Sequence, residues 1–426
     1  MYPLFAFFFS FVVGKMLKVW NKKWILKSSQ ILLGTATLLF GFSYLFSYMS
    51  LFVAFSMVGR ALQGMSIGGY QTAAYAYIPE YWPDEVDQRV CIMEISVAFG
   101  IGMGPIISSG IYETLGYIWI YIIPAIVIVF TGTIVTTCVL PANSLQSSNA
   151  LLELEHRREE TLSVCRSLFN KEMMYTFLSV VVTFTSFTLI MPMFELKILQ
   201  MNEGPEIASI IFAFAQIGYG LGCGILLIRI VKNKKGLFFI GIFFNMIGLW
   251  LLGADNFIHI ENIYIMILMA CGLFIVGLTC SLTMIPNFSQ NISILKNIYP
   301  NSNEDLLVAM SSGFFTAAIA LAEFQGPIIG GILSDLLGFS KGCLIFSMAV
   351  LAFFIMFTIH ANGYEEFGRL VMSEAMAAEI LPDLKIPSEE DAKCEEKDEE
   401  LTSLNSAHAN EIIEEQIVNI KTTSDV

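Results

Sequence analysis

The segment Gly104–Tyr117 reads GPIISSGIYETLGY, and the segment Gly326–Phe339 reads GPIIGGILSDLLGF. The two segments lie 222 residues apart and share six of fourteen residues, namely Gly, Pro, Ile, Ile, Leu and Gly. Each segment closes one long apolar run and opens the next. Their similarity predicts that the chain consists of two related halves, each with the same order of elements.

The composition is that of a membrane protein. Of 426 residues, 55% are hydrophobic and 14% are charged, whereas soluble domains have roughly 25% charged residues. The formal net charge is −14, but residues 363–426 alone hold 17 acidic and 5 basic residues, which leaves only −2 for the rest. The nearly neutral, apolar body excludes a nucleic-acid-binding protein, a secreted disulfide scaffold and an ordinary cytosolic enzyme.

The sequence shows no pattern for a metal, a cofactor or a catalytic centre. The eight cysteines are scattered without a CxxC pair, and the four histidines form no HxxxH pair. The phosphate-binding pattern GxxxxGK[ST] is absent as well. We therefore expect neither an enzyme nor ATP-driven transport by this chain.

Eleven segments are apolar and long enough to be read as membrane spans, since a helix needs roughly 20 apolar residues to cross a bilayer. They are Met1–Leu17, Ile25–Phe46, Leu51–Tyr77, Val90–Ile111, Trp119–Leu140, Met174–Met193, Ile207–Val231, Leu237–Ala254, Ile263–Pro286, Leu306–Leu333 and Gly342–His360. The sequence thus predicts an all-α membrane protein.

The loops predict the orientation of these spans. The odd-numbered loops hold 15 lysines and arginines and the even-numbered loops hold two, so the odd loops and the C-terminus are expected in the cytosol. This orientation places the N-terminus outside, although no signal peptide precedes the first span. The simplest reading is that one helix upstream of this chain is missing from a twelve-helix design.

These patterns divide the chain into four regions. Residues 1–140 form the first half with five spans, and residues 174–362 form the second half with six. Residues 141–173 are a polar cytosolic linker. Residues 363–426 are an acidic tail with few large apolar side chains, which is expected to be disordered.

Several short motifs, in this order, resemble those of the major facilitator superfamily over about residues 1–360. The loop motif GKMLKVWNKK has Lys18 where the family has Asp, and the fourth-helix motif RxxQGxG has Ser66 as its last residue. The fifth-helix motif GxxxGPxxGG has serines for its last two glycines. The matching residues are Gly14, Lys22, Lys23, Arg60, Gln63, Gly64, Arg89, Gly100, Gly104 and Pro105.

The resemblance implies a secondary transporter that works by alternating access. The fifth-helix motif is associated with antiporters in this family, and Met93-Glu94…Gly104-Pro105 is most similar to the vesicular amine and polyamine transporter branch. The implied function is proton-coupled antiport of a small organic cation such as an amine, a polyamine or a drug-like solute. Alternatives are a facilitator of a non-cationic solute and a non-transporting or truncated relative.

Charged residues inside apolar spans mark the candidate site, because an unpaired charge there costs several kcal/mol. Arg60 shares a helical face with Gln63, and we expect it in a coupling or cavity charge network, the alternative being a buried structural pair. Glu323 lies deep in the tenth span and is suited to carry a proton or bind a cation; alternatively it is a neutral acid bonded to a neighbouring helix. Glu94 lies near a span end, so it either takes part in transport or reaches the membrane surface.

Glycines and prolines form the candidate packing and conformational set. Gly100 and Gly104, like Gly218 and Gly222, are spaced by four residues, which lets helices approach closely in lipid. Pro105 and Pro327 lie at equivalent points of the two halves and are candidate hinges. Gly326 and Gly330 lie on the face of Glu323.

Two loops carry further expectations. The acidic loop 79–89 could pair with the basic loop 14–27 and hold one access state, the alternative being plain solvation. Two N-x-S sequons, at Asn287 and Asn291, fall in a loop assigned to the cytosol and are expected to be unglycosylated. The partners implied are a small-molecule substrate, protons and the lipid bilayer, with no nucleic acid, for a monomer in a plasma or vesicle membrane.

Overall fold

A computed structural model describes residues 1–17, 20–139, 167, 169–227, 234–257, 261–300 and 302–360. Over these residues the chain is helical, and we number its eleven α-helices α1 to α11. They are α1 Tyr2–Met16, α2 Lys22–Phe42, α3 Met49–Tyr81, α4 Val86–Leu115, α5 Trp119–Ile134, α6 Lys171–Gln200, α7 Pro205–Leu227, α8 Lys234–Leu252, α9 Asn262–Ile298, α10 Glu304–Leu337 and α11 Phe339–His360. The prediction of an all-helical membrane protein is confirmed.

Among the described residues, nine helices are long and apolar enough to cross a membrane. The two others, Tyr2–Met16 and Gly236–Leu252, are shorter apolar helices. Most of the predicted linker, at residues 141–166, and the whole predicted tail, at 363–426, lie outside the described residues.

Several helices extend beyond the apolar segments from which they were predicted. Helix α9 continues to Ile298, twelve residues past Pro286, where the apolar pattern stops. It continues because its polar residues find partners inside the protein: the Asn287 amide donates to the Thr176 carbonyl at 2.7 Å and to the Ser179 hydroxyl at 3.2 Å. Helices α3 and α4 likewise run four residues beyond the predicted spans at the ends that face each other.

The placement of the two sequons in a loop is wrong. Asn287 and Asn291 lie inside α9, and their exposures are 0% and 1%. Their side chains are bonded to each other, Asn291 donating to Asn287 at 2.9 Å. Because both residues are buried in a helix, we still expect them to carry no glycan, whichever side of the membrane the neighbouring loop occupies.

Both copies of the opening repeat end a helix on a glycine with positive φ. Gly116 ends α4 with φ 92° and Gly338 ends α10 with φ 80°. Residues with a side chain rarely adopt this backbone conformation, so glycine is the residue that can turn the chain here. The next helix starts three residues later at Trp119 and one residue later at Phe339. The repeat is thus a helix end with a fixed turn.

The packing of the helices repeats as well. We call α1–α5 the first half of the bundle and α6–α11 the second half. In the first half α3 packs on α1 and α2, and α5 packs on α2; in the second half α9 packs on α7 and α8, and α11 packs on α8. Each pair in the second half is six helices after its counterpart in the first.

The halves meet through a crossed pair of contacts. Helix α1 packs on α10, and α4 packs on α7, with further contacts of α10 on α3 and of α9 on α4. Since α7 and α10 are the counterparts of α1 and α4, these two contacts are equivalent. Helix α6, which packs closely on α10, has no counterpart among α1–α5.

Candidate functional site

Arg60 and Gln63 lie one turn apart on α3 and are joined to each other. The Arg60 guanidinium donates to the Gln63 side-chain oxygen at 3.3 Å, and the Gln63 amide donates to the Thr37 hydroxyl at 3.2 Å. The guanidinium also lies 4.1 Å from the centre of the Phe40 ring, a cation–π arrangement. In the described part of the chain no carboxylate forms a salt bridge with Arg60, whose side chain is exposed.

Glu323 lies deep in α10, nineteen residues after Glu304 and so about 28 Å along the helix at 1.5 Å per residue. Its side chain is partly accessible, and among the described residues it makes neither a hydrogen bond nor a salt bridge. Tyr2, at the start of α1, is close enough to interact electrostatically with both Glu323 and Arg60. The predicted carboxyl and cation thus border the same region of the bundle.

Glu94 is buried between the two halves. Tyr75 of α3 donates a short hydrogen bond to one carboxylate oxygen, and Tyr219 of α7 donates to the other oxygen at 2.6 Å. The exposures of Glu94, Tyr75 and Tyr219 are 5%, 1% and 6%. The alternative that Glu94 reaches the membrane surface is therefore wrong, because both of its oxygens are bonded inside the protein.

Among the described residues the surroundings of Glu94 are aromatic, and no cation bonds to its carboxylate. The Tyr75 ring packs against Phe315 of α10 at 4.9 Å and against Phe288 of α9 at 5.5 Å between ring centres. The titratable groups that interact electrostatically with Glu94 are Tyr75, Tyr219, Glu323 and the thiols of Cys91, Cys223 and Cys280. Glu323 is thus the other carboxyl of the interior that interacts electrostatically with Glu94.

Lys22 joins the halves at one end of the bundle. Its ammonium lies 2.7 Å from Glu80 of α3 and 3.8 Å from Asp305 of α10, and its side chain is 9% exposed. We call this end, where Lys22, Glu80 and Asp305 meet, the Lys22 end. The predicted pairing of the acidic and basic loops is thus seen for Lys22 and Glu80. Neighbouring Lys23 instead donates to the Thr137 carbonyl at 3.4 Å on the surface.

Arg89 makes local contacts in the turn between α3 and α4. It bonds to Glu85 at 2.7 Å, four residues earlier, and lies over the Trp82 ring at 5.0 Å. A cavity of about 440 Å³ opens nearby, between this turn and α9 and α10, and its charged lining residues include Asp84, Glu304 and Lys296. The described contacts of Arg89 are thus with Glu85 and Trp82 and not with Arg60, Glu94 or Glu323.

The predicted glycines divide into two groups. Gly14 faces Gly313 where α1 crosses α10, Gly64 faces the Tyr2 backbone, and Gly326 and Gly330 face Thr188 and Leu189 of α6. At each of these four positions a Cβ would approach a neighbouring atom to 3.2 Å or less. They are close helix crossings, and so are Gly218 and Gly222, which face α9.

Gly100 and Gly104 do not pack as predicted. A Cβ at either glycine would meet no atom within 4 Å among the described residues. The buried residues of α4 are Val90, Cys91, Glu94 and Ala98, all nearer its start. The prediction failed because the α10 glycines pack on α6, and α4 has no equivalent partner in the described chain. Pro105 and Pro327 both lie inside unbroken helices.

Three tyrosines of this region were missed in the sequence. Tyr2, Tyr75 and Tyr219 lie in apolar segments, where a tyrosine reads as an ordinary core or interface residue. Only the crossing of α4 and α7 brings Tyr219 to Glu94, 125 residues away in the chain. A weak signal was present, since Gly218 and Gly222 mark the turns of α7 that approach α9 closely.

The described residues contain no group of three or more His, Cys, Asp or Glu side chains that could hold a metal ion. A family model described as Major Facilitator Superfamily matches residues 1–300. The chain belongs to the major facilitator superfamily.

Relatives within the major facilitator superfamily agree with this assignment. The chain is 22% identical over 344 residues to the MFS-type transporter SLC18B1 of Mus musculus. The alignment covers 79% of this chain and 72% of the relative. It is 23% identical over 354 residues to the Homo sapiens protein of the same name, with coverage of 81% and 73%. These relatives match the vesicular amine transporter-like branch, which the motifs of this chain also resemble.

Solved structures of the major facilitator superfamily share the fold. The proton:xylose symporter XylE, bound to 6-bromo-6-deoxy-D-glucose, aligns with a TM-score of 0.62 at 13% identity, covering 83% of each chain. The fucose:proton symporter FucP of E. coli aligns with a TM-score of 0.56 at 14% identity, covering 83% of this chain and 87% of FucP. The family match and the nine long apolar helices of the described residues together make the chain a multi-pass membrane transporter of this superfamily.

Proposed function

We propose that this protein exchanges protons for a small organic cation, with Glu323 as the proton- and cation-binding carboxyl. The observation that carries the proposal is the environment of Glu323, a partly accessible carboxyl far from both ends of α10 with no hydrogen-bond or salt-bridge partner among the described residues. An ionisable group without a partner costs free energy inside a membrane protein, so it marks a candidate functional site.

Glu94 supports a shared role for the two carboxyls. The two groups interact electrostatically, so a charge on one opposes a charge on the other. A proton or a bound ammonium group would relieve that repulsion, and either ligand would exclude the other. Competition of this kind is what an exchanger of protons for cations requires.

The comparisons support parts of the proposal. XylE and FucP are named as proton symporters, which supports the use of protons by proteins with this fold. We infer exchange, rather than symport, from the motif around Gly100, Gly104 and Pro105, which is associated with antiporters in the family. We infer the class of substrate from the two interior carboxyls, Glu94 and Glu323, and from the resemblance to the amine-transporter branch.

A second candidate, transport of a non-cationic solute, is favoured by one observation. The Arg60 guanidinium is exposed and has no carboxylate partner in the described residues, so it could bind an anionic group directly. On this alternative Glu323 would carry the proton and Arg60 would bind the solute. The same assay separates the two candidates.

The test is uptake into proteoliposomes with an imposed pH gradient, using a panel of amines, polyamines and anions. We expect one cation class to accumulate, and we expect Glu323→Gln to abolish accumulation driven by the gradient. The matched control is Glu113→Gln, which removes an exposed carboxyl near the end of α4 and should leave uptake unchanged. Unchanged coupled uptake by Glu323→Gln would refute the assignment of Glu323, and uptake of anions alone would favour the alternative.

A further inference from the structure

The bond between Tyr219 and Glu94 joins the halves of the bundle in a buried position. Tyr219 comes from α7 of the second half and Glu94 from α4 of the first, and both are at least 94% buried. Both residues lie eight positions from the helix ends Val86 and Leu227, about 12 Å from the Lys22 end at 1.5 Å per residue.

Two other polar links between the halves, both among the described residues, lie nearer to solvent. Gln88 donates to the Leu227 carbonyl at 3.2 Å in a partly buried position. Lys22 and Asp305 are 3.8 Å apart, and the Asp305 side chain is 57% exposed. Exposed ion pairs contribute little to stability because water and salt screen them. A buried hydrogen bond to a carboxylate is the stronger kind of link, particularly where no cation competes for the oxygens.

We propose that Tyr219 is a positioning residue that keeps the Lys22 end closed by holding Glu94 across the interface. When the halves separate at this end, the hydrogen bond between the Tyr219 hydroxyl and Glu94 breaks. The Tyr75–Glu94 bond is kept, because both residues belong to the first half. The inference depends on the proposed function only in treating the opening of this end as a step of the transport cycle.

Tyr75 provides a matched control for this inference. It donates to the same carboxylate as Tyr219, but it belongs to the same half as Glu94. Tyr75→Phe and Tyr219→Phe each remove one hydroxyl from Glu94 and keep the aromatic ring, so the Tyr75 ring contacts with Phe288 and Phe315 can persist. Only Tyr219→Phe cuts a bond between the halves.

Native cysteines report whether the end is open. Cys91 on α4 lies one turn before Glu94, Cys223 on α7 lies one turn after Tyr219, and both have an exposure of 0%. Cys343 on α11 is equally buried and interacts with Asp255 and Lys197, at the end of the second half opposite to the Lys22 end. Labelling of Cys343 therefore reports general unfolding.

The experiment measures the rate of maleimide labelling of Cys91, Cys223 and Cys343 in the full chain, in lipid nanodiscs, by peptide mass spectrometry. We expect Tyr219→Phe to raise the rates at Cys91 and Cys223 about tenfold and to leave Cys343 unchanged, since a bond to a charged group is lost. Tyr75→Phe should change the rates at all three thiols by less than about twofold. Equal effects of the two variants, or no effect of Tyr219→Phe, would overturn the inference.

A second variant covers the case in which Tyr219→Phe also exposes Cys343. Glu94→Gln keeps an oxygen that can accept from Tyr219 but removes the charge, so it should raise the rates at Cys91 and Cys223 by about threefold. No rise with Glu94→Gln would also overturn the inference. The assay contains no solute and no gradient, so a failure of the uptake experiment leaves its outcome untouched.

Discussion

Gly104 and Gly326 occupy equivalent positions in the repeat and have different surroundings. A Cβ on Gly326 would lie 2.0 Å from the Thr188 hydroxyl oxygen and 3.0 Å from the Leu189 backbone nitrogen. A Cβ on Gly104 would meet no atom within 4 Å in the part of the chain that the structure describes. The same residue in the same motif is thus required by packing in one half and free of contact in the other.

This difference predicts opposite effects of the same substitution. Gly326→Ala should destabilise the protein by about 1–3 kcal/mol, because the added methyl group forces α6 and α10 apart. Gly104→Ala should be neutral or stabilise by up to about 1 kcal/mol, because alanine is the better helix former. Thermal unfolding followed by tryptophan fluorescence in detergent measures both, and a lower Tm for both variants would contradict the contrast.

At the scale of the element, the ends of α4 and α10 show how a short motif fixes a helix boundary. Gly338 has φ 80° and ψ 166°, and Gly116 has φ 92° and ψ 176°. This backbone region is accessible essentially only to glycine. Pro105 and Pro327, each eleven residues before the glycine, do not end their helices. The final glycine of each repeat therefore sets the boundary.

We therefore predict that Gly338→Ala costs about 1–3 kcal/mol of stability through backbone strain. Gly331→Ala, seven residues earlier in α10, is the control, because a Cβ there meets none of the described atoms within 4 Å and φ is not positive. Its Tm should equal or exceed that of the wild type. If Gly338→Ala unfolds at the wild-type temperature, the strained cap is not a determinant of stability.

At the scale of the whole molecule, the halves are joined by crossed helix pairs and by polar links at the Lys22 end. The two links to Lys22 differ in burial, since Glu80 is 28% exposed and Asp305 is 57% exposed. Removing Lys22 would leave Glu80 without its cation, which costs more than the loss of an exposed pair. Lys22 should therefore matter for stability and closure together.

The prediction compares Lys22→Met with Lys23→Met. We expect Lys22→Met to lower stability by about 1–3 kcal/mol, because a partly buried carboxylate loses its partner. Lys23→Met should change it by less than about 0.5 kcal/mol, since exposed polar contacts contribute little. Thermal unfolding tests the stability difference, and maleimide labelling of Cys91 and Cys223 tests closure. Equal shifts for the two lysines would show that Lys22 has no special role.

Much of the fold could be predicted from patterns that depend on neighbours in the chain. Apolar runs announced the eleven helices, because bilayer thickness sets the length that a span must have. The errors fell where a helix continues beyond its apolar run, as at Asn287 of α9, whose side chain bonds to α6. Such partners are distant in sequence, so no local pattern reveals them.

The candidate site was predictable residue by residue and not as an arrangement. Arg60, Gln63, Glu94 and Glu323 stood out because charge and amide groups are rare in apolar segments. Which helices cross decides that Glu94 is held by Tyr75 and Tyr219. It also decides that Glu323 makes no hydrogen bond or salt bridge with the described residues. Tyrosine is common in membrane helices, so its role emerges only when its hydroxyl is seen beside a carboxylate.

The sequence by itself determined that this is a helical membrane protein of repeated halves, because hydrophobic length and local glycine turns are properties of short segments. Only the tertiary structure decided that Gly326 is packed while Gly104 is not, and that Glu94 lies between the halves rather than at the surface. These features depend on contacts between helices far apart in the chain, where burial, hydrogen bonding and exclusion of water are set.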